Sequence, residues 1–531
     1  MHVAFVAAEN AALRGGKVGG LGDVIRDVPI ELARSGYTVS VLTPGYQSLS
    51  HLPGVVAVGQ FQVSFAGKHE TVILFRIKSS IEPDITYWLL EHPLFARCGE
   101  GAIYCVNDSE PFAMDASKFA LFCSAVCQAL VAGVLPMPDL LHLHDWHSAA
   151  LLLLRQGVPE YRVLAAIPAV YTIHNLAIQG VRPISNHESS LGTWFPALEY
   201  EKRLIVDPRH ANCLNFMRMG INLADSVHTV SPTYAREILK PSDPARGFIG
   251  GEGLEKDLCR INVANKLFGI LNGCEYPKKK PVKVNKKTFI ACANTTLLNW
   301  ISANRQVSAA HYLARERLQS WAAFQQQQTR QGKGAVLASI GRLTMQKVGL
   351  LTMESKPAVT ALDEILQNSA TTMFIMLGSG EVKFEDLMVR HMARHSNFIF
   401  LRGYDDSLAD LLYRFCDLFL MPSTFEPCGI SQMQALRAGK PCLVHSVGGL
   451  ADTVIDGANG FSFTGDSPRE QMQQMLDTCA DALDVYTSRP EKWKRLCQAA
   501  AASRFSWRES VKLYEDRLYL PLLARHRKEH V

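Results

Sequence analysis

Three observations predict an α/β protein made of two doubly wound domains. The chain has 531 residues, more than one hydrophobic core ordinarily accommodates. Short apolar, β-prone runs alternate with helical periods along nearly all of it, which is the pattern of open parallel sheets. That alternation also occurs twice, and the two series are separated by "GILNGCEYPKKKPVKVNKK", where turn chemistry gives way to charge between Gly269 and Lys287.

In the first half the strands read as "HVAFVAA", "TVSVLTP", "DLLHLH", "AVYTIH" and "SVHTVS". Between the second and third, Gly54 to Lys78 alternates in polarity and reads as antiparallel hairpins inserted into the domain. "GDVIRDVPIELARSG" is amphipathic and closes on Gly36, as a helix does. The second half reads as "AVLASIG", "TMFIMLG", "NFIFLRG", "DLFLMPS", "PCLVHS" and "GFSFTG", with helical segments between nearly all of them. "TLLNWISANRQVSAAHYLARERLQSWAAFQQQQ" is helical by period, its glutamine run falling at a helix end. The expected division is residues 1–268, residues 269–505, and a C-terminal helical segment, 506–531, crossing back to the first domain. Ligands are expected at strand ends, in a cleft between two such domains.

Hydrophobic residues make up 47% and charged residues 20%, the balance of a soluble globular protein. No apolar run is expected to reach membrane-spanning length, and no secretory pattern opens the chain, so a cytoplasmic protein with no membrane partner is expected. A net charge of +5 is too small and too dispersed to point to nucleic acid. The one concentrated patch, Lys278 to Lys287, fits a solvated connector or a contact for an anionic partner. Thirteen cysteines without CxxC pairs are expected to be mostly reduced and buried. "HLHDWH" places His142 and His144 on one face of a strand, with His147 nearby. No further Cys, His or carboxylate follows at ligand spacing, so no metal is expected.

Three stretches carry chemistry. "KVGGLGDV", Lys17 to Val24, lies between the first strand and a helix, a layout in which glycine N–H groups and a helix start bind anions. Its spacing is not the dinucleotide fingerprint, and it also fits a glycine-rich turn with a solvated lysine. "ASIGRLTMQK" places Arg342 and Lys347 just beyond a strand end, where a forked guanidinium and a point-charge ammonium suit a diphosphate. Met421 to Val454 is the most specific stretch. Glu426 precedes "CGISQMQALRAG", where the N–H groups of Gly429, Ile430 and Ser431 are placed to take phosphate oxygens. A carboxylate beside an anion site has a use if it binds hydroxyls, as a sugar requires. A second glycine turn, "VGGLADT", follows.

"KVGGLGDV", "HDWH", "YTIHNLAIQG", "HTVSPTYAREI", "GILNG", "GRLTMQK", "TFEPCGISQMQALRAG" and "GGLADTV" together resemble the ordered motif set of bacterial glycogen synthases and plant starch synthases. They run from residue 17 to residue 454. The resemblance implies a GT-B glycosyltransferase that moves glucose from ADP-glucose to the non-reducing 4-hydroxyl of an α-1,4-glucan with retention, and uses no cofactor. It implies that Lys17, with Gly19 and Gly20, touches the donor's phosphate or glucose. Arg342 and Lys347 would hold the diphosphate, aided by Ser431 and the backbone at Gly429 and Ile430. Glu426 would bind glucose hydroxyls, His174 would lie against the glucose, and Asp145 would lie on the acceptor side.

The chain departs from that pattern at Val18 and Val447, where hydroxyl residues are usual, and at Glu275, where aspartate is usual. It reads "QKVG" for the usual "QKG", and Gln434 stands where related GT-B families carry a ribose-binding glutamate. These departures bear on nucleotide preference. The alternatives are the same fold with UDP-glucose or another nucleotide sugar as donor, and a non-catalytic glucan-binding homologue. A phosphorylase is disfavoured because no lysine can be nominated for pyridoxal.

Overall fold

Each series of apolar runs forms its own parallel sheet. The computed structural model describes residues 1–105, 110, 112–276, 283–304, 307–324, 334–368 and 371–529. The chain divides into two units. The first comprises Met1–Ser242, Gly250–Gly273 and Ser506–Val531, and the second Asp243–Ile249 and Cys274–Phe505.

The sheet of the first unit uses β1 (His2–Val6), β2 (Thr38–Pro44), β3 (Val56–Phe65), β4 (Lys68–Lys78), β5 (Ile85–Glu91), β6 (Leu140–His144), β7 (Ala169–Ile173), β8 (Ser226–Thr229) and β9 (Leu267–Gly269). Their order is β9-β8-β7-β6-β1-β2-β5-β4-β3. From β9 to β5 every pairing is parallel, with Val3 beside Val39 on one side and Leu140 on the other. The β3–β4 hairpin is antiparallel and joins the sheet through β5. The expected alternation in Gly54 to Lys78 is thus a single hairpin. It is grafted to the edge by "ITYWLLE", a buried apolar run whose lack of alternation concealed a strand. β9 ends at Gly269, where the stretch read as turn chemistry begins.

In the second unit, β10 (Val336–Ile340), β11 (Met373–Gly378), β12 (Phe398–Arg402), β13 (Leu418–Met421), β14 (Cys442–His445) and β15 (Gly460–Phe463) form a sheet in the order β12-β11-β10-β13-β14-β15. All five pairings are parallel. Residues such as Leu337, Phe374, Ile399 and Phe419 are fully buried, because helices cover both sheet faces. The long helical stretch before β10 is two helices, Lys286–Asn304 and Ala309–Phe324. The first half of the lysine run (residues 278–282) and the glutamine run (325–328) lie outside the described residues.

Two expectations need correction or refinement. Among the described residues one helix, Ala113–Val131, is long and apolar enough to cross a membrane. Its apolar residues serve a core instead: 78% of that stretch is buried, including Phe119, Phe122 and Val126. Cys98 and Cys105 form a disulfide, and the other eleven cysteines are outside disulfides.

The C-terminal segment belongs to the first unit. Ser506 and Glu509 form a reciprocal capping box that starts the helix Trp507–Tyr514. The buried Trp507 indole donates to Asp27 Oδ2 at 2.9 Å, Ser510 Oγ donates to the Leu271 carbonyl at 2.6 Å, and the Tyr519 hydroxyl lies 2.7 Å from His142 Nδ1. Trp507→Ala should therefore destabilise the first unit by about 3–5 kcal/mol, the usual loss for a large core aromatic. Trp507→Phe keeps most of the apolar area and should cost about 1–2 kcal/mol. Urea unfolding followed by circular dichroism checks both values and their order.

Candidate functional site

The first unit builds its part of the site from the loops that follow β1, β6 and β7. After β1 the chain turns through Asn10 to Gly16, closed by the Asn10 N–H donating to the Gly16 carbonyl at 2.6 Å. The helix Gly20–Arg34 then begins without a side-chain cap from its own N-cap residue, Gly19. The cap comes from Glu9, whose Oε2 accepts the N–H groups of Val18 and Gly19, each at 2.7 Å. Glu9 Oε1 accepts the Tyr104 hydroxyl at 2.8 Å. The expected anion-binding N–H of Gly19 is therefore already engaged by a carboxylate. Gly22 relieves crowding here, since a Cβ would come within 3.2 Å of Glu9 Oε2 and 3.1 Å of Lys17 Cγ and push those side chains by a few tenths of an ångström. At Gly20 a Cβ would meet nothing within 4 Å.

Lys17 is not a freely solvated cation. Its ammonium pairs with Asp23 at 2.7 Å, one turn into the helix. Burial pushes the Asp23 carboxyl up, and Lys17 offsets part of that.

Asp145 follows β6 in a left-handed conformation (φ +53°), and its Oδ1 accepts the N–H of His174 at 2.8 Å and that of Asn175 at 3.4 Å. The structure thus brings Asp145 and His174 together from the ends of neighbouring strands. Burial raises the Asp145 carboxyl to about 7; the two N–H groups lower it and the charge of Glu9 raises it further. The His174 ring meets His144, with Nε2 and Nδ1 3.0 Å apart. Burial lowers His174 to about 3 and puts His144 well below the usual histidine range, so both rings are neutral at physiological pH.

His147 is buried against Phe119 and Trp146, and its Nδ1 has no hydrogen-bond partner among the described residues; His142 is spent on internal hydrogen bonds. His142 and His144 stack with centroids 4.4 Å apart, as strand alternation requires. His142 Nε2 lies 2.7 Å from Thr172 Oγ1, which in turn lies 2.7 Å from His228 Nε2.

In the second unit, β10 leads into the exposed Arg342, then a turn, then the helix Met345–Thr352 that carries Lys347. Gln346 ties this turn to the loop after β13: its Nε2 donates to the Phe425 carbonyl at 2.6 Å and its carbonyl accepts the Thr424 N–H at 2.9 Å. The result is a direct ion pair between Lys347 and Glu426, residues 79 apart in sequence. Glu426 is buried and Lys347 half-buried.

Gly429 (φ +75°) makes the turn that leads through Ile430 into the helix Ser431–Arg437. Gln432 holds that turn from below, its Nε2 donating to the carbonyls of Cys428 and Gly429 at 3.1 and 3.0 Å. The second glycine turn has a packing reason. A Cβ at Gly448 would lie 1.9 Å from the Glu426 carbonyl oxygen and one at Gly449 2.3 Å from that of Cys428, so only glycines let this turn close on the Glu426 loop. The Gly449 N–H donates to the Glu426 carbonyl at 3.1 Å.

Sequence reasoning did not nominate Glu9, Tyr104, Asp23, Gln346 or Gln432. Glu9 had a readable signal, a carboxylate at a strand end just ahead of a glycine loop. Tyr104 had none, since 95 residues separate it from Glu9.

Comparison with known proteins agrees with this architecture. Residues 2–260 match the family model of the starch synthase catalytic domain, and residues 322–495 that of glycosyl transferases group 1. A glycogen synthase of Streptococcus pneumoniae (strain Hungary19A-6) is 32% identical over 526 residues, covering 97% of this chain and 98% of the relative. One from Desulfitobacterium hafniense is 31% identical over 512 residues, covering 94% and 95%. Among solved structures, the catalytic domain of starch synthase IV from Arabidopsis thaliana, bound to ADP and acarbose, superposes with a TM-score of 0.74 at 25% identity, covering 99% of each chain. A sucrose-phosphate synthase from Thermosynechococcus elongatus shares the fold at a TM-score of 0.54 and 15% identity. Two parallel-sheet units, the ordered strand-end motifs and near-full-length similarity lead to one conclusion: the chain belongs to the glycogen synthase and starch synthase family of GT-B glycosyltransferases.

Proposed function

We propose that this glycosyltransferase takes glucose from ADP-glucose and adds it, with retention, to the non-reducing 4-hydroxyl of an α-1,4-glucan such as glycogen, in the cytoplasm. The observation that carries this reading is the Lys347–Glu426 pair beside the Gly429 turn. A cation for phosphate and a carboxylate for hydroxyls stand side by side, which is what a diphosphate joined to a sugar demands. A related catalytic domain was solved with ADP and acarbose, which favours an adenine nucleotide and a glucan as partners.

The roles follow from charge. As the bond between sugar and phosphate breaks, negative charge grows on the leaving ADP, and Arg342, Lys347 and the backbone N–H groups at Gly429, Ile430 and Ser431 stabilise it. Donor binding splits the resting ion pair: the ammonium turns to phosphate, and the Glu426 carboxylate is left for glucose hydroxyls. On the first unit, Lys17 contacts the donor through a phosphate or the glucose. The neutral His174 orients the glucose, and Asp145 serves the acceptor side. Retention follows from same-face attack, the departing phosphate taking the acceptor proton. A double displacement would need a carboxylate nucleophile at the anomeric carbon.

The decisive experiment is incorporation of radiolabel into glycogen from ADP-glucose and, in parallel, from UDP-glucose. Faster incorporation from ADP-glucose is expected. Preference for UDP-glucose would replace the donor, and no incorporation from either would favour a glucan-binding homologue.

Glu426→Ala should lower kcat severely while ADP affinity holds or improves, because Lys347 loses its competing partner. Equal losses of rate and ADP binding would overturn its assignment to the sugar. Arg342→Ala and Lys347→Ala should each weaken ADP binding by about 1.5–3 kcal/mol, as measured by calorimetry.

Asp145 adds a pH test. Its folded carboxyl, at about 7, lies above the ordinary aspartate value of 3.8. The native state therefore holds a proton the unfolded state has lost, and stability falls as pH rises from about 4 to 7. Asp145→Asn, which suits the left-handed backbone, should escape that loss. Its advantage over the parent should grow across the window by on the order of 4 kcal/mol, read from denaturant unfolding at several pH values.

A further inference from the structure

The second unit contains a cluster that the transfer reaction does not use. His391 and His395 stand one helical turn apart at the end of the helix Val382–Arg394, and Asp363 lies in the first turn of the helix Ala361–Asn368. Asp363 Oδ1 is 2.8 Å from His391 Nδ1 and 2.7 Å from His395 Nε2. We propose that Asp363, His391 and His395 form a binding site for one divalent transition-metal ion, for which zinc is the best-suited occupant.

Four features support this. First, one donor atom from each residue lies within 4.8 Å of the other two. Four-coordinate zinc, with bonds of about 2.0 Å, needs donors roughly 3.3 Å apart, so the two oxygen–nitrogen separations would open by about half an ångström while the two imidazole nitrogens come to the same spacing around the ion. Second, the carboxylate is already oriented. Its Oδ2 accepts the N–H of Thr360 at 3.0 Å and the Thr360 hydroxyl at 2.9 Å, leaving Oδ1 aimed at the two rings. Third, an outer partner exists for a metal-bound imidazole: with the ion on Nδ1, His391 Nε2 keeps its proton and faces Thr360 Oγ1, 3.5 Å away. Fourth, the burial is graded. The His391 and Asp363 side chains are 1% and 6% exposed, and that of His395 is 14% exposed, so the cluster opens to solvent on the His395 side. A water molecule can complete the coordination there.

Donor type selects the ion. Two imidazoles and one carboxylate suit zinc and its first-row neighbours, whereas calcium and magnesium prefer oxygen sets. The ion would clip the start of one helix to the end of another across 28 residues of chain. Its role is structural, and it stands apart from the Lys347–Glu426 chemistry.

The full chain, stripped with chelator, is titrated with Zn²⁺ by calorimetry, and its melting transition is followed with and without the ion. One equivalent should bind, and the melting temperature should rise by several degrees. His395→Gln, at the least buried ligand, and Asp363→Asn should each weaken binding at least tenfold and abolish the shift. Should either variant fail to fold, the parent loaded with Co²⁺ decides: visible bands of a four-coordinate ion are expected. Zn²⁺ binding equal in parent and folded variants, no saturable binding in the parent, or a Co²⁺ spectrum of the hydrated ion would each overturn the proposal.

Discussion

Parallel strands all point their carboxyl ends the same way, and the placement of nearly every chemistry-bearing residue described here depends on that. In the first unit the Lys17 loop follows β1, Asp145 follows β6 and His174 follows β7. In the second unit Arg342 follows β10, Glu426 follows β13 and the Gly448–Gly449 turn follows β14. Within each unit, helical crossovers return the chain to the opposite end of the sheet before the next strand begins. Residues far apart in sequence therefore emerge beside one another at one sheet edge, as Asp145 and His174 do. The antiparallel hairpin β3–β4 is attached at the far edge of its sheet and supplies none of these residues.

At those strand ends, buried carboxylates are held in two ways. Glu426 is answered by a full charge, Lys347, and is positioned with it through Gln346. Asp145 receives only backbone N–H groups and lies in the field of Glu9, so burial prevails and its carboxyl titrates near neutrality. Glu9 serves a third purpose, capping a helix whose glycine N-cap has no side chain to do so. The two neighbouring histidines stay neutral because burial disfavours a charge that no carboxylate answers. Preorganised polar groups in a dry setting are what a reaction that develops charge can exploit.

The strands were legible where burial is two-sided. All six runs predicted in the second half became β10 to β15, since continuous apolar runs between helical periods leave few alternatives. β5 is buried on both faces as well but was not legible, because no helical period separates it from a hairpin whose alternation dominates the region. The apolar helix Ala113–Val131 shows the converse ambiguity. Composition alone does not separate a membrane span from a core helix, and only its packing does. The site motifs were legible as pieces, Lys17, Arg342, Lys347 and Glu426 among them, because glycines and charges at strand ends have few structural uses. Their internal partners were not: Tyr104 reaches Glu9 from 95 residues away, and Asp23 and Gln432, three to six residues from the groups they hold, read locally as ordinary polar helix residues.

By itself, the sequence determined the two-fold α/β alternation, the strand-end position of the glycine loops and the family, since these follow from local periodicity and from motifs read in order. Tertiary structure alone decided which groups meet. The Lys347–Glu426 pair spans 79 residues, the Tyr104–Glu9 bond 95, and the Trp507–Asp27 bond that fastens the C-terminal segment to the first unit 480. The physical reason is that hydrogen bonds and ion pairs act over a few ångströms in space, whereas separation along the chain says nothing of distance until the sheet order has been set.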